Sequence, residues 1–244
     1  MKKIKKLSLL LSVTGLLLIA AAVLLQLFTP MGNSRPEFYY GQKSFARVRE
    51  IIVVTGALPV KLEYSDDDSC RVEWSSGLPL IMDCDEQGTL RITEDDSFTL
   101  SMLSKSADSA HINLYIPKRN YERISVSTSS GNITTLDVIC ESLELSTRSG
   151  YMHVAGADEN TKIKNESGTT YLGIGGIDGE MTVNGGKGRM VVDLFSPFDV
   201  FVEFTTESGS CTSSNFYNDV NDRRGDAALL GGKGGNTLKI NTTE

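Results

Sequence analysis

The stretch "STSSGNITTL", Ser127 to Leu136, decides the fold, because close variants of it return three times further along the chain. The variants are "STRSGYMHV" (146–154), "NESGTTYL" (165–172) and "TESGSCTS" (206–213). A recurring segment is either a copied binding loop or the corner of a repeated structural unit. The residues around each glycine distinguish these two interpretations.

The repeat has a period of roughly 20 residues, as stacked repeat units have, and its flanking positions agree from copy to copy. The corner glycines are Gly131, Gly150, Gly168, Gly188 and Gly209. The positions seven and five residues before each glycine are apolar with one exception: Ile124, Leu143, Thr161, Met181 and Val202, then Val126, Leu145, Ile163, Val183 and Phe204. The position three before is small or polar: Thr128, Thr147, Asn165, Gly185 and Thr206. The position two after is mostly apolar: Ile133, Met152, Thr170, Met190 and Cys211.

This pattern predicts a solenoid. A short strand points alternate side chains inward, a Ser-Gly corner turns the chain, and a second strand follows on another face. Because one coil cannot bury its apolar face alone, coils stack at about 4.8 Å with parallel backbone pairing. Glycine suits the corner through its access to positive φ. Inward-facing Thr128, Thr147, Asn165 and Thr206 should form a polar ladder along the stack.

Alternation of period two dominates the chain beyond position 44, and no amphipathic helix is evident there. At the C-terminal end, Leu238, Ile240 and Thr242 occupy the same three inward positions, so we expect a last coil that stops as it approaches its corner. The predicted fold class is all-β, with a single β-solenoid domain over residues 45–244. The solenoid is parallel β-helix-like, with coils of about 20 residues that stack on one another.

The N-terminal segment predicts one transmembrane helix before this domain. Residues 1–6 are basic, and residues 7–28 form an uncharged apolar run. As a helix with a rise of about 1.5 Å per residue, this run has a length that matches the thickness of the hydrocarbon core of a bilayer. The four lysines in residues 1–6 place the N-terminus in the cytoplasm and the C-terminal domain outside, across a single-pass cell-membrane anchor. Residues 29–44 read as a juxtamembrane linker. A cleaved signal peptide, ending near Ala20 to Ala22, is the alternative.

The charge of the exported part argues against nucleic acid as a partner. Without the four N-terminal lysines, 20 basic residues face 31 acidic ones, which leaves a formal charge near −11. We expect partners among other membrane or envelope proteins, with homo-oligomerisation as a further option.

Four elements in order resemble a known family: "YIPKRNYERI", "ISVSTSSGNITTL", the serial T-x-S-G corners and the terminal "GGKGGNTLKINT". Together they are similar to the bacterial putative-adhesin, or toast-rack, β-solenoid family of envelope proteins, a domain of unknown function. The resemblance covers about 44–244 and implies an exported or anchored protein beside envelope-stress signalling or transport systems. It defines no catalytic residues. The chain departs from the pattern at the fourth corner, "GGKG", and in an insertion over 214–235.

Few residues suggest chemistry. Cys70 and Cys84 flank a strand-like segment and could form a disulfide in an exported chain, whereas Cys211 reads as a core filler. The two histidines, His111 and His153, have no metal-ligand spacing, and His153 should point outward. The acidic turns at 66–68 and around Asp219 and Asp222 carry oxygen ligands of the calcium type but match no complete calcium loop. No cofactor is expected.

These observations favour a non-catalytic, membrane-anchored scaffold or sensor domain that acts through protein contacts. A surface adhesin for an external polymer or protein is the alternative, with the insertion residues Phe216, Tyr217, Asp219 and Asp222 as its interaction loop. A carbohydrate-active β-helix enzyme is a second alternative, which would need paired carboxylates on one face. Its candidates are Glu144, Glu166, Glu203 and Glu207.

Overall fold

The protein is all-β throughout the residues that its structure, a computed structural model, describes. Those residues are 39–95, 110–158, 160–194, 200–206, 228–230 and 236–242. Within them no helix is long and apolar enough to cross a membrane. The predicted anchor over 7–28 lies outside the described residues.

An eight-stranded sheet forms one side of the molecule. In spatial order its strands are β1 (Tyr39–Phe45), β4 (Cys70–Ser76), β7 (His111–Pro117), β3 (Val60–Ser65), β9 (Ile133–Leu136), β11 (Met152–Ala157), β13 (Thr170–Ile174) and β15 (Met190–Leu194). The pairs from β7 to β15 are all parallel, whereas β4 runs antiparallel to both of its neighbours.

A ten-stranded sheet forms the other side. In spatial order its strands are β17 (Ala228–Leu230), β16 (Val200–Thr206), β18 (Asn236–Thr242), β14 (Glu180–Gly185), β12 (Thr161–Asn165), β10 (Leu143–Thr147), β8 (Arg123–Thr128), β2 (Glu50–Thr55), β6 (Thr89–Glu94) and β5 (Leu80–Cys84). Only the outermost pairs at the two edges are antiparallel. The predicted parallel stacking is therefore confirmed for the central coils.

Each central coil passes from the ten-stranded sheet through a corner into the eight-stranded sheet, as in β8 to β9 and β10 to β11. The predicted inward positions are buried: Ile124, Val126, Leu143, Leu145, Ile163, Met181 and Val183 are all 3 % exposed or less. They fill the space between the sheets together with Ile133, Met152 and Leu172 from the opposite side. Alternation of period two thus specifies which face of each strand packs into the core.

Close stacking of successive corner backbones explains the corner glycines. The expectation that these glycines adopt positive φ is wrong for three of them. Gly131, Gly150 and Gly168 do not adopt positive φ. A Cβ on Gly150 would lie 2.1 Å from the carbonyl oxygen of Gly131, and one on Gly168 would lie 1.9 Å from that of Gly150. A Cβ on Gly188 would meet the Gly168 carbonyl oxygen at 2.0 Å. Glycine is needed because each corner backbone lies directly against the preceding one.

The polar ladder is confirmed for the described residues. Thr128 Oγ1 donates to Thr147 Oγ1 at 2.9 Å, and Thr147 Oγ1 accepts the backbone N–H of Gly150 at 3.0 Å. In the next coil, Asn165 Oδ1 accepts the N–H of Gly168 at 2.9 Å and its Nδ2 donates to Thr170 Oγ1. These side chains satisfy buried backbone groups that the tight corners would otherwise leave without partners.

The N-terminal end differs from the prediction. Residues 39–44, assigned to the linker by their composition, belong to β1, which pairs antiparallel with β4 along its whole length. The coil of β2 and β3 lies between β6 and β8 in one sheet and between β7 and β9 in the other. The chain therefore returns past its first coil instead of adding coils in sequence order.

The C-terminal strand also differs from its expected place at the end of the stack. The inward register is as predicted, since Leu238 aligns with Met181 and Ile240 with Val183. However, β18 pairs in parallel with both β14 and β16 and so lies between them. Leu238 and Ile240 are 0 % and 7 % exposed, so both side chains pack into the core between the sheets.

Candidate functional site

An open groove lined mainly by polar residues, called the polar groove below, crosses the outer face of the ten-stranded sheet. It measures ≈ 550 Å³, and its outward-facing side chains are Ser125, Ser127, Glu144, Ser146, Lys162, Lys164, Thr182 and Asn184. They come from β8, β10, β12 and β14, where parallel pairing places equivalent positions side by side. The inward positions of these strands are packed in the core, so the groove has a rigid floor.

Ion pairs connect the charged side chains of this groove. Glu144 contacts Arg123 at 2.5 Å and Lys162 at 3.6 Å, and these neighbours lower the pKa of the Glu144 carboxyl, chiefly through the Arg123 hydrogen bond. Lys164 of the groove contacts Glu166, which lies just beyond it, at 3.0 Å and likewise lowers the pKa of the Glu166 carboxyl. Both carboxylates are therefore ionised at neutral pH.

An aromatic cluster stands on the outer face of the other sheet. The Tyr151 ring lies 5.4 Å from the Tyr171 ring and 6.4 Å from the His153 ring, centroid to centroid, at interplanar angles of 44° and 55°. His153 points outward as predicted, and Tyr151 is 39 % exposed. The two tyrosines were missed by the sequence analysis. The signal for Tyr171 was the recurrence of rings in the outward position three after a corner glycine, at His153 and Tyr171, whereas Tyr151 directly follows its glycine and had no such signal.

Three cysteines, Cys70, Cys84 and Cys140, lie in the described part of the chain, and the structure forms no disulfide among them. Cys70 belongs to β4 of one sheet and Cys84 to β5 of the other, so the predicted disulfide would join the two sheets. Burial raises the pKa of Cys70 and of Cys140 to about 12. Cys84 is only half-buried. The disulfide stays a prediction.

The remaining candidates divide between turns and residues outside the described part. The acidic turn at 66–68 is an exposed turn in which Ser65 Oγ accepts the N–H of Asp67 and Asp67 approaches Arg71 at 3.9 Å. No cluster of His, Cys, Asp and Glu suited to a metal ion occurs among the described residues. Gly209, Cys211 and the predicted interaction loop, Phe216, Tyr217, Asp219 and Asp222, lie outside them.

One family model matches most of the chain, and two solved structures of low sequence identity are similar to it. The model of the family described as Toastrack DUF4097 matches residues 48–197. A putative cell adhesion protein from Clostridium sporogenes is 15 % identical, with 85 % of this chain and 95 % of that chain covered and a TM-score of 0.49. A putative adhesin from Bacteroides fragilis is 11 % identical, with 84 % and 97 % covered and a TM-score of 0.30. No curated protein matches the chain.

Proposed function

The chain belongs to the toast-rack DUF4097 family, and from this premise we propose that it is a membrane-anchored extracytoplasmic scaffold or sensor of the bacterial cell envelope. In this role it is non-catalytic and acts through protein contacts, beside an envelope-stress signalling protein or a transporter. The apolar run over 7–28 and the lysines before it support the single-pass anchor with a cytoplasmic N-terminus.

The polar groove is the observation that carries this proposal. In the described part of the chain, packed side chains fill the space between the sheets, which leaves the outer faces of the sheets for a partner. Four parallel strands there hold hydroxyl, amide and charged groups in fixed rows. A protein surface of complementary hydrogen-bonding groups could dock on such a rigid array with little loss of conformational entropy.

The ion pairs of Glu144 and Glu166, two of the four candidate carboxylates, support the non-catalytic role over the enzyme alternative. A glycosidase needs a general acid whose pKa is raised toward neutrality. Glu144 and Glu166 are held by cations that shift their pKa values the other way. Turnover of a polysaccharide by the purified chain, lost in a Glu144→Gln variant, would overturn the non-catalytic assignment.

Site-specific photo-crosslinking in intact cells tests the protein-contact proposal. A benzophenone amino acid replaces Ser127 or Ser146 in the groove of the full-length chain, and Glu86, on the exposed turn between β5 and β6, serves as the matched control position. We expect the same membrane or envelope protein to be captured from both groove positions and not from position 86. A second copy of the chain as the product would indicate a homo-oligomer. Absence of any groove-specific protein product would contradict the proposal.

A further inference from the structure

A shallow shelf lies beside the aromatic cluster on the outer face of the eight-stranded sheet. Register places Ala155 of β11 next to Gly173 of β13, and these two residues form a floor with short side chains or none. The rings of His153 and Tyr171, two residues earlier on the same strands, stand along one side of this floor, with Tyr151 packed against both rings. These five residues are called the aromatic shelf below.

The shelf is held rigidly. The backbone N–H of Tyr151 donates to Asn132 Oδ1 at 2.9 Å, and the Tyr151 carbonyl accepts the N–H of Ile133 at 2.9 Å. The inward neighbours of the rings on β11 and β13, Met152, Val154 and Leu172, are completely or almost completely buried. Rings on packed parallel strands are fixed before a ligand arrives, which reduces the entropy lost on binding.

Hydrogen-bonding groups stand at the ends of the shelf floor. On β15, Asp193 is exposed and pairs in register with Gly173. At the other end, the pairing of β11 is irregular between Ala155 and Ala157. The Asp137 carboxylate lies next to Gly156 in this irregular segment, since a Cβ added to Gly156 would lie 2.6 Å from Asp137 Oδ1. Irregularities of this kind are common where a strand re-aims side chains next to a binding site.

We propose that the aromatic shelf binds a neutral glycan. A pyranose ring has an apolar C–H face and a hydroxyl edge. The tyrosine rings of the shelf can contact the apolar face, and the carboxylate oxygens of Asp193 and Asp137 at its ends can accept hydrogen bonds from the hydroxyl groups. The floor itself carries no charged side chain. The strongly acidic exported part, with a formal charge near −11, disfavours an anionic polymer at the same place.

Two other occupants fit the shelf less well. A quaternary ammonium group is bound best inside an aromatic cage, whereas these rings line one side of an open floor. A stable protein interface needs about 800 Å² on each partner. The shelf lies on β11 and β13, and together with Asp193 on β15 it spans about 10 Å across three strands, so it is much smaller. An oligosaccharide laid across β11, β13 and β15 matches this size.

This inference is independent of the proposed protein contacts, which use the opposite sheet. Its test is calorimetric titration of the full-length chain with two neutral probes, cellohexaose and N-acetylchitohexaose. The detergent should be of the polyoxyethylene type, because a glycoside detergent would compete. Tyr151→Ala and Tyr171→Ala remove rings from the shelf, and Tyr171→Phe retains the ring. Tyr115→Ala is the matched control, since Tyr115 is a half-buried outward tyrosine on β7 of the same sheet.

We expect at least one probe to bind, and each of the two shelf alanine variants to weaken its affinity about tenfold or more, the loss typical of a truncated aromatic anchor. Tyr171→Phe and Tyr115→Ala should bind within about threefold of the unmodified chain, and all variants should keep its unfolding midpoint within a few degrees. Three results would overturn the proposal. They are no binding of either probe at millimolar concentration, equal weakening by Tyr115→Ala, and binding of tetramethylammonium instead of a glycan.

Discussion

Replacing Gly150 with alanine should lower the free energy of unfolding by about 2–4 kcal/mol, the sum of an overpacking cost and a weakened hydrogen bond. The added Cβ would lie 2.1 Å from the Gly131 carbonyl oxygen and 2.8 Å from Thr147 Oγ1. The first of these atoms is backbone, so the two coils must separate locally, and overpacking of this kind costs about 1–3 kcal/mol. The separation also weakens the hydrogen bond from Gly150 N–H to Thr147 Oγ1, which contributes about 1 kcal/mol.

The assay is urea unfolding followed by far-ultraviolet circular dichroism, with Gly175→Ala as the control. Gly175 is exposed, has no positive φ, and an added Cβ there would meet nothing within 4 Å. Its replacement should therefore change the stability by less than about 1 kcal/mol. In a thermal scan the Gly150 variant should unfold about 4–16 °C lower than the unmodified chain. Equal stabilities of the two variants would refute the argument that corner glycines are required by close stacking.

Three further predictions concern the ladder, the C-terminal strand and the buried thiols. Thr147→Val removes the acceptor of the Gly150 N–H and should lower the free energy of unfolding in urea by about 1–3 kcal/mol. The control Thr182→Val, on the outer face, should leave this free energy nearly unchanged. Equal effects of the two substitutions would argue against the ladder. Leu238→Ala should cost about 2–5 kcal/mol, because the side chain is completely buried in the core between the sheets. A loss below about 1 kcal/mol would place β18 outside the sheet. In the reduced protein, Cys70 and Cys140 keep their protons in the folded state up to about pH 12 but release them near pH 9 when unfolded. Stability should therefore fall as pH rises from 9 toward 12, and the urea midpoints should fall less steeply in a Cys140→Val variant. Identical slopes would contradict the assigned burial.

Local patterns in the sequence were sufficient to predict the central coils. The regular spacing of the corner glycines and the inward alternation identify Ile124, Val126 and their equivalents as core residues, because both signals arise within one coil and its neighbour. The positions of Thr128, Thr147 and Asn165 in the ladder follow from the same register. The family resemblance agrees with the toast-rack model that matches residues 48–197.

Pairing between segments distant in the chain could not be predicted in this way. The coil of β2 and β3 lies between strands that come much later in the chain, and β18 enters between β14 and β16. Nothing in the residues of one strand specifies which distant strand it will pair with. The reason for the corner glycines was also hidden, because the limiting contact is with the backbone of another coil. The aromatic shelf was overlooked since its rings come from two coils and meet only after stacking.

The distance between two spin labels, at Val54→Cys on β2 and Asn241→Cys on β18, tests the stacked architecture most directly. Both positions face outward and are aligned with each other through the register of the intervening strands. Four strands, β8, β10, β12 and β14, lie between β2 and β18, so the two positions are five strand spacings apart. At about 4.8 Å per spacing the backbone separation should be about 24 Å. With the native cysteines replaced by alanine, pulsed electron paramagnetic resonance should give one narrow distribution near that value, allowing for the label linkers. A distribution centred one strand spacing further out, at about 29 Å, would place β18 beyond β16, and a broad one would contradict the parallel solenoid itself.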